Sequence, residues 1–300
     1  LSSTIRNFVD SIFAPARLRF YVWASLASQI LIVVTGAAVR LTGSGLGCPT
    51  WPTCTEESLV TVPEMGIHGV IEFANRLLTF VLAIIALLTF VTVKRLAVEQ
   101  RRGLVWTSFS LGMGIVAQAV IGGISVLTQL TWWVVGLHFV VSGILIAIAT
   151  ILVWNFYGKS RGEATAVARV LAWPSYLIGI LTVLLGVVVT GAGPHAGDAD
   201  TPRSGYDLEL VEHLHSYPAY VLMGLVAISL LTLRKQASTI ATRLHFWLFI
   251  GLAGQALLGV AQARLGVPPL LVAAHMLGAS CLIALLSAAL LSATPTRKQR

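Results

Sequence analysis

Three hundred residues with a net charge of +8, of which 56% are apolar and 11% charged, exclude a soluble domain, where about 25% charged is usual. With a mean hydropathy of +0.85, this is the composition of an all-α polytopic membrane protein. In a soluble chain the basic excess would point to nucleic acid; here loop charges that set membrane orientation account for it, and no nucleic-acid partner is expected.

Eight runs reach the roughly 20 apolar residues a span needs, near 18–40, 66–93, 104–127, 132–156, 170–191, 208–233, 243–263 and 269–292. Lipid leaves the α-helix as their natural form, because each backbone group must be satisfied within its own segment. The first run is full length and others follow it, so no cleavable signal is expected. On one side lie Arg6, Arg17, Arg19, Lys94, Arg95, Arg101, Arg102, Lys159, Arg161, Arg169, Arg234, Lys235, Arg243, Arg297, Lys298 and Arg300, which is 16 of the 20 basic residues. Arg40, Arg76, Arg203 and Arg264 sit at or near the other face, with nine of the twelve acids. Both termini are therefore expected in the cytoplasm and the 41–65 and 192–207 loops outside.

The chain also reads as an internal duplication. Ala117-Gln118-Ala119-Val120-Ile121-Gly122 matches Gly254-Gln255-Ala256-Leu257-Leu258-Gly259 at an offset of 137, and His138 matches His275 at the same offset. Glu72-x-x-Asn75 overlays Glu212-x-x-His215 at an offset of 140, and Val34-Thr35-Gly36-Ala37 resembles Val189-Thr190-Gly191-Ala192. Two four-helix halves follow.

The second run opens with His68, Glu72, Asn75 and Arg76 on one stripe, at spacings of three and four residues. A charge at the bilayer centre costs about 2.5–3.5 kcal/mol, which makes such groups functional candidates. The plainer reading is an interfacial ion pair between Glu72 and Arg76. His138, His215 and His275 each fall about six or seven residues in from the outer boundary, a shared depth of about 10 Å. Facing side chains in a bundle core hold cofactors, and a His pair there suits haem iron. One intramembrane His alone is more often a bonding group between helices; matched positions in duplicated halves favour ligation.

His213 lies about 200° around the helix from His215, so one of them points inward, and the repeat selects His215. His195, in the outer loop with Asp198 and Asp200, reads as solvated, and His245 as structural. Zinc fits poorly, since no two histidines stand at the i, i+4 spacing of a helical zinc motif. Gly43-Ser44-Gly45-Leu46-Gly47 precedes no strand–helix unit and reads as a turn. Cys48 and Cys54, close together in the first outer loop, point to one local bridge. It is either a structural staple or a redox pair facing an external partner.

Thr42-Gly43-Ser44-Gly45-Leu46-Gly47-Cys48-Pro49 with Trp51, Pro52 and Cys54, Ile71-Glu72-Phe73 with Arg76, Leu137-His138-Phe139, His215, and Ala274-His275 together resemble the haem A synthase family across essentially all eight runs. The resemblance implies oxidation of the C8 methyl of haem O to a formyl group by successive hydroxylations, with haem b as cofactor. It implies two tandem-repeat four-helix bundles: 1–160 with the substrate haem site and a disulfide loop, and 161–300 with the haem b site. His215 and His275 look like the axial ligands of haem b, His138 like a ligand of the substrate haem, and Glu72 like the catalytic carboxylate. His68, Asn75 and Arg76 would lie at the substrate haem, and Cys48 and Cys54 match the family's loop pair. Implied surroundings are the plasma membrane with the haem sites toward its outer face, an upstream haem O synthase (a farnesyltransferase) and an electron donor or acceptor. Oligomerisation stays open.

One departure stands out. The family pattern is Glu-x-x-His-Arg, and here Asn75 takes the place of the histidine. Either the substrate haem is five-coordinate through His138, or His68, two turns outward, reaches the iron. The second outer loop, from Gly191 to Tyr206, also lacks a cysteine pair. The runner-up function is a di-haem cytochrome b that carries electrons; it would want His pairs in both halves. A transporter would want polar groups along a midplane path and broken helices.

Overall fold

The computed structural model describes residues 3–97, 103–158, 164–235 and 239–294. Of the basic residues that set the orientation, Arg101, Arg102, Lys159, Arg161, Arg297, Lys298 and Arg300 lie outside them. Among the described residues nine α-helices follow in order: α1 (Ser3–Ile12), α2 (Leu18–Leu41), α3 (Gly66–Lys94), α4 (Leu104–Leu127), α5 (Trp132–Phe156), α6 (Ala166–Ala192), α7 (Leu208–Leu233), α8 (Ile240–Arg264) and α9 (Pro269–Ala293). Eight helical spans among the described residues are long and apolar enough to cross a membrane. They match the sequence-based runs closely.

The largest shifts are at α6 and α8, which begin at Ala166 and Ile240 rather than 170 and 243 because a threonine caps each. Thr165 accepts from the amide of Ala168, and Thr239 from that of Thr242. Such a cap satisfies one of the four amides that open every helix. Asp207 does the same for α7, accepting from the Leu210 amide at 2.8 Å.

α1 is an addition to the sequence reading. Ile5, Phe8, Val9 and Ile12 stand at i, i+3, i+4 and i+7, one face of a short amphipathic helix. An Asp10–Arg95 ion pair of 2.9 Å and a 2.8 Å bond from the Tyr21 hydroxyl to the Ile12 carbonyl hold it to α2 and α3.

The packing order closes two rings. α2 packs on α3, α3 on α4, α4 on α5, and α5 back on α2; α6 to α9 repeat the circuit. α5 and α2 meet α9, and α5 meets α6, which joins the halves. α3 and α5 are therefore diagonal in one ring, as α7 and α9 are in the other. The tight apolar packing lies in the middle and inner turns: Leu18, Val22, Leu111, Ile146 and Leu152 in the first ring, and Leu222, Val226, Leu248 and Leu286 in the second. The outer turns are more open; residues 185–190 of α6 are all half-buried.

The likeness of the halves extends to their turns. After α4 the backbone takes positive φ at Gln129 (52°) and Leu130 (56°), and after α8 at Gly266 (73°) and Val267 (59°). The Leu130 amide bonds the Ser125 carbonyl and the Val267 amide the Gln262 carbonyl, each at 2.8 Å. Every residue of the second turn stands 137 places after its counterpart.

The outer loops meet over the seam. The Gly45 amide donates to the Gly197 carbonyl at 2.8 Å, and Arg40 of α2 donates to the Thr190 carbonyl of α6 at 2.6 Å. Leu130, 7% exposed, sits under both loops: a Cβ on Gly45 would lie 2.7 Å from its Cδ1, and one on Gly197 3.1 Å. Glycine is what lets the backbone come this close.

Candidate functional site

In the second half, α7 and α9 present His215 and His275 to each other across the ring diagonal, with centroids 6.4 Å apart and planes at 65°. Nδ1 of His215 meets the Thr182 carbonyl at 2.9 Å. That bond puts the proton on Nδ1 and leaves Nε2 as the free lone pair, the usual arrangement of a metal-ligating imidazole. Nδ1 of His275 is buried with no hydrogen-bond partner. A metal held about 2 Å from one nitrogen of each ring puts the two centroids about 6 Å apart. The observed spacing fits haem iron between them.

Small residues make room for both rings. A Cβ on Gly186 would lie 3.0 Å from Cε1 of His215, and one on Gly259 would lie 3.6 Å from Cε1 of His275. Gln255 holds α9 in register by donating to the His275 carbonyl at 3.3 Å. A cleft of about 550 Å³ opens at the outer end of this half, with Arg203, Glu209 and Glu212 among its lining.

The first half reproduces this cradle around one imidazole. Gln118 donates to the His138 carbonyl at 3.0 Å, and a Cβ on Gly122 would lie 3.3 Å from Cε1 of His138. Nδ1 of His138 and Oδ1 of Asn75 are both buried without a partner. Asn75 stands on α3 where the repeat puts His215 on α7. The cradle's two glutamines, Gln118 and Gln255, lie in the repeated hexapeptide, whose role as a histidine support was not legible from the string. His68, whose residue is exposed, is held by Ser44 through Nδ1 at 2.9 Å.

Three of the four stripe residues, His68, Glu72 and Arg76, serve the outer loop. Glu72 is 5% exposed; its Oε2 accepts from the Cys48 amide at 2.6 Å and its Oε1 from Nε of Arg76 at 3.1 Å. Nη2 of Arg76 donates to that same Oε1 and to the Cys48 carbonyl, and Nη1 donates to the carbonyls of Thr50 and Thr53. Cys48 and Cys54 form a disulfide, and both are 0% exposed. Gly47 runs against α3, where a Cβ would lie 2.2 Å from the His68 carbonyl oxygen. The resemblance puts Arg76 at the substrate haem, and the plainer reading pairs it with Glu72; the structure shows that pair and gives the remaining donors to the loop. Carbonyl acceptors leave no signature in side-chain spacing, which is why this destination is invisible in the string.

The other histidines take structural bonds. His195, expected to be solvated, is half-buried and bonded to the Val267 carbonyl at 2.9 Å, tying the second outer loop to the turn after α8. His213 is exposed and bonds the Glu209 carbonyl of its own helix; His245 is buried and bonds the Ala241 carbonyl.

Residues 19–287 match a family model described as cytochrome oxidase assembly protein, COX15-CtaA. Among curated relatives, the Heme A synthase of Lysinibacillus sphaericus is 32% identical over 180 residues, 58% of this chain and 57% of that one. The Heme A synthase of Alkalihalophilus pseudofirmus is 27% identical over 194 residues, 64% of each chain. That of Exiguobacterium sibiricum is 33% identical over 172 residues, 55% of this chain and 54% of the relative. The chain thus spans between about half and two thirds of the length of these relatives.

Proposed function

Because the chain belongs to the COX15-CtaA family of cytochrome oxidase assembly proteins, we propose that it is an enzyme of haem A biosynthesis, oxidising the C8 methyl of haem O to a formyl group in the membrane. The observation that carries this reading is the unequal pair of cradles: two facing imidazoles in one half, one imidazole opposite an amide in the other. An electron conduit gains nothing from that inequality. A half that admits and releases its haem can do with a single iron ligand, while a half that retains one keeps two.

In this reading His215 and His275 hold haem b, which supplies a one-electron centre when bound. Thr182 fixes the tautomer of His215, and Gln255 fixes the depth of His275. His138 holds the substrate iron from α5. Asn75 faces it from α3 without competing for the metal, since an amide is a poor iron ligand. Glu72 lies one turn outward from Asn75 and takes a proton or stabilises positive charge at the methyl. The plasma membrane, cytoplasmic termini and sites toward the outer face complete the proposal, with a haem O synthase upstream and an external electron donor or acceptor.

The test is chemical. Purified protein loaded with haem O is extracted and its pigments separated by chromatography; a formyl haem alongside haem b is expected. Recovery of unaltered haem O from protein that still exchanges electrons with a quinone would replace this reading with the conduit.

A further inference from the structure

Arg76 carries five N–H donors, and all five are engaged: Nε and Nη2 on Oε1 of Glu72, Nη2 also on the Cys48 carbonyl, and Nη1 on the carbonyls of Thr50 and Thr53. None is left for a propionate. Three carbonyls of one seven-residue loop converge on one guanidinium, while Glu72 takes the amide of Cys48. The bonded groups exist in this arrangement only when the loop is folded and seated on α3. Lifting it would strip a charged group of three acceptors at the membrane boundary, where water replaces them poorly.

What the seated loop puts down on the bundle is Trp51. A Cβ on Gly123 of α4 would lie 2.3 Å from Cδ2 of its indole, so the ring rests on bare backbone. The preceding residue, Gly122, gives the same kind of clearance to the imidazole of His138. One turn of α4 thus seats the loop's tryptophan and the candidate iron ligand side by side. Trp51 is 37% exposed and both cysteines 0%. The loop covers its own bridge and leaves the tryptophan accessible.

Resting on the reading of the first half as the substrate site, we propose that the Cys48–Cys54 loop is the cover of that site. Arg76 is the positioning residue that holds it down, and Trp51 is the face it presents to a flat, apolar tetrapyrrole. An indole plane suits such a ligand by stacking and area burial. Arg76 acts through the loop and touches no reacting atom. Closing the cover also fixes Glu72, whose Oε2 is bonded to the cover itself.

The experiment needs no haem for its first arm. In a Cys281→Ser background of the full chain, an impermeant phosphine reduces the bridge, and the freed thiols are trapped with a polymer-linked maleimide and read by gel shift. Both sulfurs are buried, so the rate reports how often the cover lifts. Lys at position 76 cannot make the fork, so Arg76→Lys is expected to speed reduction by about tenfold or more. Gly123→Ala, which unseats Trp51 from the other side, is expected to speed it too, and Glu72→Gln, which retains an acceptor for the Cys48 amide, less than Arg76→Lys. Reduction of Arg76→Lys at the wild-type rate overturns the positioning role. In the second arm, Trp51→Ala is titrated with haem O by absorbance; a several-fold weaker first-half affinity, largely restored in Trp51→Phe, is expected. Unchanged affinity overturns the role of Trp51. Should the wild type bind no haem O, the substrate reading and the ligand face of Trp51 fall together, while the reduction rates still decide the hold of Arg76.

Discussion

The two halves are built alike and finished differently. Each closes four helices into a ring, ends its third helix in the same left-handed turn, and fastens a histidine carbonyl with a glutamine from a facing helix. In the second half the diagonal is completed by another imidazole, fixed by a backbone carbonyl. In the first it is completed by an amide whose oxygen is unpartnered, and a bridged loop is clamped over the outer end by a partly buried ion pair. The halves offer two like cradles; on the function proposed above, one keeps its occupant and the other exchanges it. The differences collect on α3 and the loop before it.

The sharpest way to break the comparison is to remove one ring of the pair. His275→Ala is expected to abolish the low-spin b-type absorbance of the purified protein, while Asn75→Ala leaves it intact; an unchanged spectrum in His275→Ala would end the assignment of the second half. Next, Glu72→Gln is expected to lower formyl product by about two orders of magnitude, the scale of a lost acid–base group, with haem b retained on extraction. Full production would remove the carboxylate from the chemistry. A third variant makes the halves equal. Asn75→His, which restores the family's pattern, should turn the loaded substrate haem six-coordinate and low-spin; a spectrum identical to wild type would mean that residue 75 does not face the iron.

The smallest effect is steric. Gly186→Ala puts a methyl 3.0 Å from the His215 ring and Gly259→Ala puts one 3.6 Å from the His275 ring. The first should therefore shift the haem b spectrum or weaken its retention, and the second should do neither. The reverse order would show that the rings move before they bind.

The eight spans were legible because a long apolar run in lipid has one good solution, and their ends were adjusted only where Thr165 and Thr239 begin a helix early. α1 was not, since ten residues of mixed polarity resemble a soluble terminus until their spacing is read against a membrane surface. The depth of His138, His215 and His275 and the choice of His215 over His213 were readable through the repeat. The Glu72–Arg76 pair was readable from its spacing of four, but the loop carbonyls on Arg76 were not: a stripe of charged residues on one helix says that they are neighbours, not which backbone comes to meet them. Trp51 and Gly123 lie far apart in sequence and outside the repeat, so their contact has no counterpart to reveal it.

Leu130 is a small feature with a wide reach. It belongs to the turn after α4, is forced into a conformation uncommon for leucine, and bears on Gly45 from one outer loop and Gly197 from the other. A single side chain is thus the common footing of the two outer loops, one from each half. Whatever tips that footing tilts both, so a change in one outer loop is felt by the other through a hinge of hydrocarbon rather than through the helices between them.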